Sequence, residues 1–196
     1  IQSAVLNGET ETGVTTMRIT LDMDAGPVLE QERMTIGENE TAVELTERLA
    51  ALGGRMLAEG VSKMEAGTAE FTRQQDDKAT YCTMLTKDDG SMDWTRSASD
   101  LHNLVRGAQP WPAAQTLWRG QVCRVLGSEV AEGHTSAAPG EVIAVEKTRA
   151  VVATGEGALV ITRFQPPGKR AMAMAEYLRG GNVQVGERFA SPAQAR

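Results

Sequence analysis

Few residues in this chain are suited to chemistry, and their spacing narrows the choice further. Asp24 lies in Leu21-Asp22-Met23-Asp24-Ala25-Gly26-Pro27, a turn-like stretch between two strand-like runs. It follows a strand end, has apolar Met23 beside it, and is followed by a glycine that lets backbone approach closely. A carboxylate so placed can orient an imidazole or help move a proton, and ligand sites in α/β folds lie at strand ends. The plainer reading of the same residue is turn chemistry, which favours Asp. Basic residues form the second set: Lys87, Arg106, Arg119, Arg124 and the pair Lys169-Arg170. Such groups hold phosphates in a salt-sensitive and largely sequence-independent way, or else make up a solvated charged face. Trp94 and Trp111 could stack on bases. Core or turn packing is the leading reading for both, because Trp111 sits between two prolines.

Other reactive residues lack partners in the sequence. Cys82 and Cys123 show no CxxC or Cys/His spacing, so neither a metal site nor a disulfide framework is expected. His102 reads as a helix-surface residue and His134 as a loop residue. No apolar run approaches the ~18 residues that a membrane span needs, and the opening residues do not read as a signal peptide. A reduced, cytoplasmic protein fits these features. The net charge of −6 over 196 residues is unevenly spread. Residues 1–90 carry 8 basic and 17 acidic side chains, whereas residues 91–196 carry 12 and 9. The later part is therefore the better candidate for an anionic partner, although a nucleic-acid surface usually shows a larger excess. Aromatics make up only 4% of the chain, so aliphatic residues and Met must build the core.

The elements that must position these residues follow from periodicity. Gly13 to Ile19 and Val28 to Ile36 read as strands. Thr41-x-x-Glu44 is a capping box, and apolar residues recur at helical spacing from Val43 to Met64, predicting an amphipathic helix to Glu65 that covers one face of a sheet. Gly53-Gly54 is its weak point. Thr68 to Asp89 is polar and aperiodic. Ser97-x-x-Asp100 opens a short helix that Gly107 and Pro110 stop. Strand-like runs follow at Ala114–Trp118, Val122–Leu126, Glu141–Val145, Ala150–Ala153 and Ala158–Phe164, with hairpin turns at Arg119-Gly120 and Gly155-Glu156-Gly157. Short strands in this number suggest a small barrel or sandwich. Met172 to Leu178 reads as a last short helix, ended by Gly180-Gly181.

Several motifs also carry a family resemblance. Thr12-Gly13-Val14-Thr15-Thr16-Met17 followed by Asp24-Ala25-Gly26-Pro27 resembles the end of the catalytic domain of the folate-dependent formyltransferases. Asp93-Trp94, Arg106-Gly107-Ala108-Gln109-Pro110-Trp111-Pro112-Ala113, Pro139-Gly140, Ala153-Thr154-Gly155-Glu156-Gly157 and Gln165-Pro166-Pro167-Gly168-Lys169-Arg170-Ala171-Met172 resemble, in order, blocks of the methionyl-tRNA branch of that family. Thr20 and Asp22 depart from the family, which often has an acidic residue and a glycine there.

The resemblance implies an α/β remnant of a formyltransferase-type Rossmann-like domain, followed by a mostly β, OB-fold-like barrel. It implies the C-terminal part of the catalytic domain over 1–67, a linker over 68–90, a tRNA-binding domain over 91–190 and a frayed tail over 191–196. The implied reaction moves a formyl group from 10-formyltetrahydrofolate to the α-amino group of methionyl-initiator tRNA in translation initiation, without a metal. Asp24 is then the catalytic carboxylate, and Leu21, Asp22, Met23 and Asp24 border the folate. Lys87, Arg106, Arg119, Arg124, Lys169 and Arg170 are the candidate tRNA contacts. The family's Asn and His come from an Asn-x-His stretch that this chain does not contain, so the chain alone is expected to be inactive and the intact protein to be a monomer away from membranes. Two alternatives are a non-catalytic tRNA-binding module and a formyltransferase acting on an amino-sugar nucleotide or a purine intermediate.

Overall fold

The structure, a computed structural model, describes residues 1–131, 133, 135–180 and 183–192. His134, Gly181 and most of the expected tail lie outside the described residues. The chain divides into two compact units, one of residues 9–83 and one built from residues 1–8 together with 84–196.

In the 9–83 unit, β1 (Glu11–Met17) and β2 (Val28–Thr35) form an antiparallel pair, crossed by the long helix α2 (Ala42–Glu65). The helix starts where the capping box predicts. Thr41 Oγ1 accepts from the Glu44 backbone N–H, and the Glu44 carboxylate accepts from the Thr41 N–H at 2.8 Å. Its buried positions, Ala42, Leu45, Leu49, Leu52, Met56 and Gly60, step by three or four residues and so line one face. Gly60 leaves room for Leu29, whose Cδ2 would lie 2.9 Å from an added Cβ. Beyond α2 the chain returns to the sheet, where Thr72 and Val28 exchange both backbone hydrogen bonds. Around the pair, Arg33–Glu11, Arg55–Glu32 and Lys63–Glu30 are exposed ion pairs, a type worth little each.

The other unit begins with α1 (Gln2–Leu6), a five-residue helix that sequence periodicity did not reveal. It packs against α3 (Ala98–Gly107), whose N-cap Ser97 accepts from the Asp100 N–H as the spacing predicts. Gly107 makes this packing possible, because an added Cβ would sit 2.8 Å from Leu6 Cγ. Strands β3 (Ala114–Trp118), β4 (Gln121–Ala131), β5 (Val142–Val145), β6 (Ala150–Ala153), β7 (Ala158–Gln165), β8 (Met172–Ala173) and β9 (Phe189–Ala190) form an antiparallel sheet in the order β5-β6-β7-β4-β3-β9, with β8 on β7. The ends of this sheet meet: Val142 N–H donates to Glu187 O, Gly186 N–H to Val142 O, and Phe189 N–H to Gly140 O, each at 2.8–2.9 Å. The sheet is thereby curled on itself around Phe164, Phe189, Leu159, Ile161, Val125 and Val142, all essentially inaccessible.

Two expectations need correction here. Met172 to Leu178 is not a helix throughout; Met172–Ala173 pair with β7, and only α4 (Met174–Leu178) is helical. The run Val122–Leu126 extends through Ala131, because register shifts between Val125 and Ser128 let β4 continue along β7 while its inward pattern is interrupted.

The capping box gives a pH-dependent prediction. Bonding to Thr41 lowers the Glu44 pKa from its ordinary value of 4.5. A carboxylate lowered on folding stabilises the fold above its unfolded pKa and loses that contribution as pH falls through the folded value. Thr41→Ala is expected to cost about 1 kcal/mol at neutral pH, measured by urea unfolding, and the gap from wild type should narrow below pH 4.5.

Candidate functional site

Asp24 sits at the tip of the β1–β2 connection with φ of 54°, a left-handed conformation that Asp tolerates better than most residues. The tip is strapped from a distance. Gln74 Nε2 donates to both Asp24 O and Gly26 O at 2.7 Å, while Arg18 N–H donates to Pro27 O at 3.0 Å. Gly26 is required at this crossing, since a Cβ there would lie 1.7 Å from Arg18 O. Arg18 is held in turn over the Phe71 ring, 4.3 Å from its centroid. The side chains of the loop point to solvent: Ile19, Leu21 and Met23 are each at least 90% exposed, and Asp22 and Asp24 are exposed beside them. An open apolar groove of roughly 380 Å³ adjoins the strand end, lined by Met17, Ile19, Leu29, Val61, Met64 and Phe71. Asp24 itself does not line this groove; Ile19 of the same loop does.

The basic candidates separate into two kinds. Arg106 is buried, with Nε and Nη2 on Asn103 Oδ1 at 3.0 and 2.7 Å. Arg119 is engaged with Glu187 at 2.7 Å and lies over the Trp118 ring, and Arg170 pairs with Glu176 at 2.6 Å. Lys87, Arg124 and Lys169 have no carboxylate partner among the described residues. Lys87 and Arg124 line one groove of roughly 490 Å³ with Trp111, Gln115, Val122 and the turn Gln165–Gly168; Lys169 follows that turn directly and is exposed.

Two residues, Trp111 and His102, lie elsewhere than the sequence suggested, while Trp94 is in the core as its leading reading had it. Trp111 is 56% exposed on the rim of this groove rather than packed, with its carbonyl accepting from Gln2 Nε2 at 2.9 Å. Trp94 is buried, its Nε1 donating to Thr116 Oγ1 at 3.0 Å. His102 is on a helix as expected but is buried, with Nδ1 3.0 Å from Ser128 Oγ; α3 lies flat on β4, so its inner face includes position 102. No cluster of His, Cys, Asp or Glu able to hold a metal occurs among the described residues, and no helix there is long and apolar enough to cross a membrane.

The two thiols make a direct check on the packing. Burial pushes the Cys123 thiol up to about 11, whereas Cys82 is exposed. Reaction with a thiol-specific chromogenic disulfide at pH 8 is expected to modify one thiol quickly in the folded protein and the second only on unfolding, because the thiolate is the reactive form. Gly26→Ala should cost about 1–3 kcal/mol through the forced shift of the Arg18 carbonyl, read from the urea midpoint, with faster amide exchange along β1 and β2.

Known proteins share this architecture. Residues 84–182 match the formyl transferase C-terminal domain, and residues 1–61 match the formyl transferase domain. A methionyl-tRNA formyltransferase of Solibacter usitatus is 42% identical over 190 residues, covering 96% of this chain and 60% of that protein. The methionyl-tRNA formyltransferase of Alkaliphilus metalliredigens is 39% identical over 186 residues, with 95% and 59% covered. This chain thus spans about 60% of the length of the curated relatives it matches. Among solved structures, HypX from Aquifex aeolicus in complex with tetrahydrofolic acid superposes with a TM-score of 0.70 at 20% identity, over 95% of this chain and 33% of that one. The sugar 3N-formyl transferase WlaRD gives 0.65 at 18% identity, over 86% and 59%. By the match to more than half of its length, on a fold those structures share, the chain belongs to the formyl transferase family.

Proposed function

We propose that this chain is the larger part of a methionyl-tRNA formyltransferase, which transfers the formyl group of 10-formyltetrahydrofolate to the α-amino group of methionyl-initiator tRNA. What supports the reading above all is the set of relatives at 35–42% identity over nearly the whole chain, all bearing that name. The neutral amine attacks the formyl carbon, forming the new C–N bond and a tetrahedral intermediate. The bond from that carbon to the folate nitrogen then breaks, the amine gives up a proton and the folate nitrogen regains one. Asp24 is the catalytic carboxylate of this chain. It holds an imidazole from an Asn-x-His segment in the state that stabilises the oxyanion and helps move the proton. No such segment occurs in the 196 residues, and these residues alone should turn over negligibly. Leu21, Asp22 and Met23 border the folate, as the exposed apolar character of the loop favours.

The curled sheet is an OB-fold-like barrel that takes the tRNA. Lys87, Arg124 and Lys169 contact its phosphates, with Arg119 and Arg170 reaching it from their ion pairs; Arg106 acts from within by fixing the end of α3. Residues 1–67 contribute to the catalytic domain, 68–90 to the linker and 91–190 to the tRNA domain. The intact enzyme is monomeric and cytoplasmic.

The test is formylation of methionyl-initiator tRNA by the full-length protein that contains this chain. Asp24→Asn is expected to lower kcat by ~10²-fold or more, the usual reach of positioned acid–base chemistry, with little change in KM for tRNA. Retention of activity within a few-fold would remove Asp24 from the mechanism. Formylation of an amino-sugar nucleotide with no activity on charged initiator tRNA would overturn the assignment itself.

A further inference from the structure

Trp111 is the most exposed of the three tryptophans: Trp94 and Trp118 are 2% and 4% exposed, against 56% for Trp111. It is also the most deliberately held. The side-chain amide of Gln2 donates to the carbonyls of Gly107, Gln109 and Trp111 at 3.2, 3.2 and 2.9 Å, so one residue of α1 fastens the whole turn from which Trp111 projects. Gln109 anchors the same turn from the other side, donating to Val105 O and Leu126 O at 2.8 and 3.2 Å. A large ring so fixed and yet left in solvent shares its groove with Lys87 and Arg124, two cations without carboxylate partners among the described residues. Two residues from Lys87, the Asp89 carboxylate accepts from the Thr86 N–H and hydroxyl at 2.6 and 2.7 Å rather than from a groove cation. The turn Gln165–Gly168, which also lines the groove, offers only uncharged groups, and Arg124 Nη1 donates to Gln165 Oε1 there at 3.5 Å.

An aromatic face next to cations that no carboxylate neutralises is the arrangement that takes unpaired nucleotides, the base stacking on the ring and the phosphate meeting the cations. A duplex hides its base faces and offers the ring nothing to stack on. We propose that the groove lined by Trp111, Lys87 and Arg124 binds an unpaired nucleotide of the RNA partner, with its base stacked on Trp111 and its phosphate between Lys87 and Arg124, and that Gln2 is the positioning residue that holds Trp111 on the rim. This rests on the reading of the chain as tRNA-binding and assigns the site a single-stranded rather than a helical element of that RNA.

The 196-residue chain is titrated in parallel with whole tRNA, a six-nucleotide single-stranded oligoadenylate and an RNA duplex of the same length. Because the other two indoles are buried, quenching of intrinsic fluorescence reports stacking on Trp111. The single strand is expected to bind in preference to the duplex and to quench the indole. Trp111→Ala should weaken it about 10-fold, while Trp111→Phe should keep most of the affinity. Arg124→Gln, on an exposed strand position, should lower the dependence of log K on log salt by about one ion. Gln2→Ala should reduce the quenching while the urea midpoint of the Trp111→Phe protein serves as the folding reference. If tRNA binds but the oligonucleotide leaves the indole unquenched, or Trp111→Ala binds it as wild type does, the groove assignment fails and the tRNA reading stands. If neither the tRNA nor the oligonucleotide binds, both fail.

Discussion

A two-residue strand closes the larger unit. β9 takes its place beside β3, while the residues around it exchange hydrogen bonds with the start of β5, so one short segment satisfies both free edges of the sheet. Open edges would leave rows of unpaired backbone groups and a site for pairing with other chains. The closure depends on a very close approach: a Cβ at Gly140 would lie 2.2 Å from Phe189 O. It also centres the core, because the Phe189 ring lies 4.3 Å from that of Trp118, 5.6 Å from Trp94 and 6.1 Å from Phe164. In a chain with so few aromatics, four of them converge here. The positions of Arg124 on β4 and Gln165 on β7 follow from the register that this core fixes; the two residues are direct partners across the strands.

Charge is organised differently in the two units. In residues 9–83 the basic side chains of Arg33, Arg55 and Lys63 are answered by carboxylates of the same sheet and helix, and the remaining acids dominate the surface. In the other unit several arginines are likewise engaged, by Glu187, Glu176 and Glu146. The modest positive excess read from the sequence therefore understates the contrast. What matters for an anion is the cations that have no carboxylate partner among the described residues, and two of these, Lys87 and Arg124, share one groove.

Much of the fold was legible because local signals and tertiary packing agree. The capping box at Thr41, the buried stripe of α2, the start of α3 at Ser97 and the limits of β3 and β6 all coincide with what periodicity and turn residues foretell. Where local signals are weak, the sequence was silent: α1 has five residues and no side-chain cap, and exists through its packing on α3. The site was legible in part. The glycine at position 26 and the turn that holds Asp24 follow from residue types, but the strap from Gln74 spans 50 positions and leaves no local trace. The same holds for Trp111, whose flanking prolines say that the chain turns without saying which way. Among the basic residues, sequence could name candidates but could not separate buried Arg106 from exposed Arg124, since that depends on whether tertiary packing encloses the side chain.

The placement of α1 also bears on how the polypeptide survives cutting. Residues 1–8 and 84–196 belong to the larger unit and residues 9–83 to the smaller one, so the backbone passes between them twice within these residues. The exposed stretch from Lys78 to Met84 is the natural point of entry for a protease. A single cut there would sever the backbone without freeing either product. The first product would still keep its opening residues inside the second, with Val5 fully enclosed and Gln2 bonded to three of its carbonyls. The nicked molecule would run as two bands when denatured and as one particle when native, held together by the packing of residues 1–8.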